Sequence, residues 1–99
     1  MNINDFIHST VELPNNLKMF AKTNGTLHPI ESIKNNDTQK CVALIISTNS
    51  KSNNLLLGSS INQLKLLKPN YQIYITNHQR DLHHYTFGYS LSGNKIIIK

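Results

Sequence analysis

Leu57, Ile61, Leu64 and Leu67 recur at helical spacing, lining one face of an α-helix and leaving Asn62, Gln63 and Lys65 outward. Gly58 and Ser59 are the expected N-cap, Lys68 puts a cation in the last turn, and Pro69 stops the helix. From Tyr71 the period changes to two. Tyr71, Ile73 and Ile75 alternate with Gln72, Tyr74 and Thr76, which predicts a strand with one buried face. The unit is a helix, a Pro-Asn stop and a strand.

Shifted back by 54 positions, the pattern recurs in type. Ile3 falls over Leu57, Ile7 over Ile61, Thr10 over Leu64, Leu13 over Leu67, Leu17 over Tyr71, Met19 over Ile73 and Phe20 over Tyr74. Pro14-Asn15 matches Pro69-Asn70 after one inserted residue, and Val42 and Leu44 fall over Ile96 and Ile98. Internal repetition of this kind constrains a fold before any single element does. The expected fold class is α+β: two pseudo-repeated units of helix and three strands, residues 1–46 and 55–99, joined by a linker at 47–54 within one domain spanning 1–99 and sharing an antiparallel sheet.

In chain order, residues 2–13 read as the first helix, capped by Asn2 or Asn4 with Asp5 in the first turn. Residues 17–22 read as a strand, Thr23-Asn24-Gly25-Thr26 as a hairpin turn, and 27–33 as the returning strand, where Pro29 argues for an edge or an irregularity. A polar turn at 34–40 precedes a strand at 42–46 that is apolar on both faces. Residues 48–54 are Ser- and Asn-rich and linker-like. Beyond the second helix and strand come a turn at 77–81, a strand at 83–90, a tight turn at Ser92-Gly93-Asn94 and a terminal strand at 95–99. The run KIIIK would expose an apolar edge unless paired, which raises the expectation of a homodimer.

Ninety-nine residues with 38% hydrophobic and 15% charged content suit one small core. No long apolar run and no basic-then-apolar N-terminal segment occurs, so the expectation is a cytoplasmic protein without membrane contact. The single cysteine, Cys41, heads the apolar run CVALIIS and reads as core. Abundant Asn, Lys and Ile point to a low-GC genome.

The net charge of +5 is unevenly placed. In the first 46 residues Lys18, Lys22, Lys34 and Lys40 balance Asp5, Glu12, Glu31 and Asp37, whereas Lys51, Lys65, Lys68, Arg80, Lys95 and Lys99 later face Asp81 alone. All four tyrosines lie in that basic half. Lysines neutralise phosphates and rings stack on unpaired bases, so Lys65, Lys68, Arg80, Lys95 and Lys99 are candidate nucleic-acid contacts. Across residues 83–89, alternation puts His83, Tyr85, Phe87 and Tyr89 on one face and His84, Thr86 and Gly88 on the other. The two histidines then point apart, and with His8, His28 and Cys41 at no characteristic spacing, no metal site is expected. No glycine-rich phosphate loop and no paired carboxylates occur, and no cofactor is expected.

The order helix, strand, histidine-bearing strand and strand over residues 58–99 resembles the HicA-type mRNA interferase toxins. By position, that resemblance would make His83 or His84 the catalytic histidine. The segments LPNNLKMFA, LHPIESI and KPNYQIYI resemble small uncharacterised proteins of Gram-positive phages and mobile elements. This second resemblance implies short single-domain proteins that bind and block host machinery or regulate transcription. The resulting expectation is a binding protein without catalysis whose partner is a host protein, engaged through Tyr74, Arg80, His84, Tyr85, Tyr89, Lys95 and Lys99, residue types favoured at interface hot spots.

Overall fold

The computed structural model describes residues 1–47 and 54–99. In chain order they form α1 (Ile3–Ser9), β1 (Lys18–Thr23), β2 (Thr26–Asn36), β3 (Cys41–Ile46), α2 (Leu57–Leu64), β4 (Gln72–Asn77), β5 (His84–Tyr85), β6 (Tyr89–Ser92) and β7 (Lys95–Ile98). The fold class is α+β. The expected linker lies outside the described residues except for Ser47, whose N–H donates to the Pro29 carbonyl at 2.9 Å, and Asn54, whose side-chain amide donates to the Met19 carbonyl at 2.8 Å.

Asn2 caps α1 by accepting the Asp5 N–H at 2.8 Å, which satisfies one of the free amides of the first turn. The helix is shorter than the expected 2–13. Thr10 turns its hydroxyl back onto the Phe6 carbonyl at 2.7 Å, and the chain leaves helical geometry there. In α2 the expected cap at Gly58 and Ser59 is corrected: both are helical, and Leu56 at the cap makes no side-chain bond. The first amides are taken by main chain instead, Leu57 N–H by the Leu17 carbonyl at 2.8 Å and Gly58 N–H by Asn15 at 2.9 Å. That approach is why residue 58 is glycine, since a Cβ there would lie 2.8 Å from the Asn15 Cβ.

The seven strands form one sheet in the order β5-β4-β3-β2-β1-β7-β6. The antiparallel sheet expected from sequence is corrected to a mixed one, because β3 pairs with β4 and β1 with β7 in parallel. For β3 and β4 the physical reason is the connection through α2: a crossover of that length returns the chain in the same direction, whereas a tight hairpin reverses it. The Asn24-Gly25 hairpin turn does reverse it, with positive φ at both residues. The terminal strand β7 lies between β1 and β6, so the free apolar edge that motivated a homodimer is absent.

The sheet curls round on itself because two long extended segments change partner midway. β2 pairs with β1 through Pro29 and with β3 from Ile30, with an irregularity between Ile30 and Ser32. Pro29, which lacks an N–H, sits at that switch. Residues 84–92 behave alike, since the Thr86 N–H reaches the Ile73 carbonyl of β4 at 3.2 Å while the Phe87 N–H reaches Lys99, beyond β7, at 2.9 Å. This break also corrects the expected single strand at 83–90 and its alternation. Tyr85 pairs with Tyr74 on the outer face, but Tyr89 pairs with Ile98 and turns to the core.

The register pairs recur at a fixed offset. Met19 pairs with Ile96 and Ala21 with Ile98, while Val42 pairs with Ile73 and Leu44 with Ile75, each partner moved by 54 positions along the chain. Main-chain bonds keep the offset: Ile3 N–H to Tyr71 and Leu57 N–H to Leu17, then Ile73 N–H to Met1 and Met19 N–H to Leu55. Inside the curl, Met19, Ala21, Ile30, Val42, Leu44, Ile73, Ile75, Ile96 and Ile98 join Ile3 and Phe6 of α1 and Leu57 and Leu64 of α2 in one core. Among the described residues no helix is long and apolar enough to cross a membrane.

Candidate binding surface

With Ile73 and Ile75 turned inward, β4 presents Gln72, Tyr74 and Thr76 on the outer face of the sheet. The cross-strand partner of Tyr74 on β5 is Tyr85, and their ring centroids are 6.2 Å apart. His83 packs between them, stacked on Tyr74 at 4.3 Å and edge-on to Tyr85 at 4.8 Å. Tyr85 of this group is 59% exposed, while Phe87, two residues on and 77% exposed, lies past the break in the strand and borders a separate depression with Met1, Asp5 and Ser9.

On the other side of Tyr74 the parallel neighbour is Ala43, whose small side chain leaves a shallow depression of about 260 Å³. Lys34, Ile45, Thr76 and Arg80 are among the residues that line it. Burial pushes the Tyr74 phenol above its ordinary pKa, and the nearby Arg80 charge pulls the other way. The turn that carries Arg80, in the left-handed region at φ 58°, is held by the Asp81 N–H donating to the Asn77 side chain at 3.2 Å. A contact between His78 and Glu31 ties the same turn to β2. The depression is smaller than the usual small-molecule site, so the arrangement suits contact over a surface.

Among the partner residues expected from sequence, Tyr74, Arg80 and Tyr85 therefore converge. The others lie elsewhere. His84 pairs with Ile75 and faces the helix side, half-buried. Tyr89 packs edge-on against Phe6 at 6.1 Å and donates its hydroxyl to the Ser9 carbonyl at 2.9 Å, tying β6 to α1. Lys95 and Lys99 belong to β7 and its end, beside β1. Of the expected nucleic-acid set, Lys65 is the C-cap of α2 and Lys68 lies in the turn beyond it, which corrects the expectation of a cation in the last helical turn, since the helix ends at Leu64.

No family model, curated protein or solved structure matches this chain. The geometry thus stands by itself. Among the described residues no group of three or more His, Cys, Asp or Glu is placed to hold a metal ion. Cys41 is buried, and its thiol is pushed up by that burial. His83, named from sequence only as a candidate catalytic histidine, joins the aromatic group through its alternation with Tyr85.

Proposed function

We propose that the chain is a non-enzymatic binding protein of a phage or mobile element that engages a host protein through the outer face of β4 and β5. The observation that carries this reading is the exposed Tyr85 ring, packed with His83 and Tyr74 and flanked by Arg80, with the exposed Phe87 two residues along the chain. Aromatic rings and arginine supply large contact area at low entropic cost and dominate interface energetics. A rigid sheet beneath them keeps that cost low on binding.

The frame behind this surface is read as two copies of one helix and three-strand unit. Its support is the offset of 54 positions that recurs in strand register and in the main-chain bonds that anchor each helix start. In that reading each unit lends its first strand to pair in parallel with the last strand of the other.

The test is capture from lysate of a low-GC Gram-positive host by tagged protein, after nuclease treatment, comparing the parent with the double variant Tyr85→Ala/Phe87→Ala. Both side chains are mostly exposed, so the variant keeps the fold. A protein captured by the parent and lost from the variant is the expected result. Equal capture by both would remove this surface from the account.

A further inference from the structure

Away from the aromatic surface, the outer face of β1 and β7 carries an unbalanced charge pattern. Met19, Ala21, Ile96 and Ile98 are fully buried, so alternation turns Lys18, Phe20 and Lys22 outward on β1 and Lys95, Ile97 and Lys99 outward on β7 and its end. The parallel register sets Lys18 beside Lys95 and Phe20 beside Ile97, and Lys22 and Lys99 are the residues that follow its last pair, Ala21 and Ile98. Two rows of paired lysines thus flank one apolar row. The Lys95 ammonium reaches over the Phe20 ring, 5.4 Å from its centroid.

Like charges on directly neighbouring strand positions repel, and here two such pairs lie without a carboxylate to offset them. Asp5 and Glu12 belong to α1 and the turns after it, Glu31 to the part of β2 that pairs with β3, Asp37 to the β2–β3 turn and Asp81 to the β4–β5 turn. Among the described residues, the ion pair is that of His78 with Glu31, and no lysine of these rows takes part. The flanking strands add no acid: β2 contributes Leu27 and Pro29, and β6 contributes Ser90 and Ser92.

We propose that this surface binds single-stranded nucleic acid, with phosphates on the two lysine rows and an unpaired base on Phe20. The rows are separated by four strand residues, about 13 Å at the usual rise, which spans more than one phosphate of an extended strand. The ring lies between them, where a base can stack only if it is free of a partner. Lys18, Lys22 and Phe20 come from the half of the chain whose charges cancel overall, so folding, and no local run, assembles the site. The proposal is independent of the aromatic surface on β4 and β5.

Fluorescence anisotropy with a labelled 20-nucleotide single strand, its duplex, and anionic phospholipid vesicles as competitor tests it over a range of salt. Four phosphate contacts predict that log K falls with log salt at a slope of about −3, halved in Lys18→Gln/Lys95→Gln. Phe20→Leu keeps the slope and weakens binding about tenfold. Tyr85→Ala leaves binding unchanged. The lysine variant relieves repulsion, so its thermal midpoint stays at or above that of the parent, which separates lost contact from lost fold. Unchanged affinity in the lysine variant, equal affinity for duplex, or binding to vesicles with none to the oligonucleotide would each overturn the proposal.

Discussion

On β1 and β7 the side chains turned away from the core read Lys18, Phe20, Lys22 and Lys95, Ile97, Lys99, whereas the positions 54 away on β4 and β3 read Gln72, Tyr74, Thr76 and Cys41, Ala43, Ile45, of which Thr76, Cys41 and Ala43 are themselves buried. One aromatic ring persists at the centre of each. Around it, four lysines on one surface correspond to small, uncharged or apolar residues on the other. The inward positions do not diverge in this way: Met19 corresponds to Ile73, Ala21 to Ile75, Ile96 to Val42 and Ile98 to Leu44, all apolar and buried. Packing therefore accounts for what the two regions share and for the buried Thr76, Cys41 and Ala43 of the second, and it leaves the lysines of the first to be explained by what that surface meets.

The division between inward and outward positions is broken most directly in β7. Ile96→Ala removes a fully buried side chain and is expected to cost about 2–5 kcal/mol, while Ile97→Ala, half-buried, costs under about 1 kcal/mol by urea unfolding. Similar losses at the two positions would mean that the outer face is packed after all. Gly58→Ala places a methyl group against Asn15 and should cost about 1–3 kcal/mol, against little change for Gly88→Ala, where nothing among the described residues lies within 4 Å of the new atom. Equal melting temperatures for the two glycine variants would show that the start of α2 yields without strain.

Tyr71 sharpens the comparison, because its counterpart Leu17 carries no hydroxyl. The Tyr71 hydroxyl donates to Asp37 at 2.7 Å and, chiefly through that bond, holds the Asp37 carboxyl below its ordinary range. A carboxyl lowered on folding contributes stability above its unfolded pKa and loses it as pH falls through the folded value. Tyr71→Phe should therefore be less stable than the parent near neutral pH, with the gap closing as the solution is acidified below the usual aspartate range. A gap independent of pH would show that the ring's packing, and not the bond to Asp37, carries the effect. The same bond, with burial, raises the Tyr71 phenol, so the parent keeps this contribution until the solution becomes strongly alkaline. The smallest effect is expected at Ser60, which stands where α1 has Phe6. Its hydroxyl is buried without a hydrogen-bond partner among the described residues, so Ser60→Ala should be neutral or stabilising by up to about 1 kcal/mol in the same unfolding measurement.

Much of the local structure was legible in the sequence. The helix and strand periods placed α1, β1, β3, α2, β4 and β7 within a few residues, and Asn24-Gly25 marked its hairpin, because each depends on neighbours close in sequence. The parallel pairings were not, since nothing local in KIIIK says that it will lie between β1 and β6. The partner switch at residues 86–88 was hidden for the same reason, and with it the turning of Tyr89 toward Phe6. Counting charge along the chain assigned the basic character to the later residues, whereas the lysine rows draw one strand from each half. Tyr74, Arg80 and Tyr85 could be found as a group because β4, its turn and β5 are contiguous.

The measurement that bears most directly on two separate surfaces over one frame is capture from nuclease-treated host lysate by three proteins in parallel: the parent, Tyr85→Ala/Phe87→Ala, and Lys18→Gln/Lys95→Gln. The account predicts one host protein retained by the parent and by the lysine variant and lost from the aromatic variant. Retention by the aromatic variant, or equal loss from both variants, would contradict it.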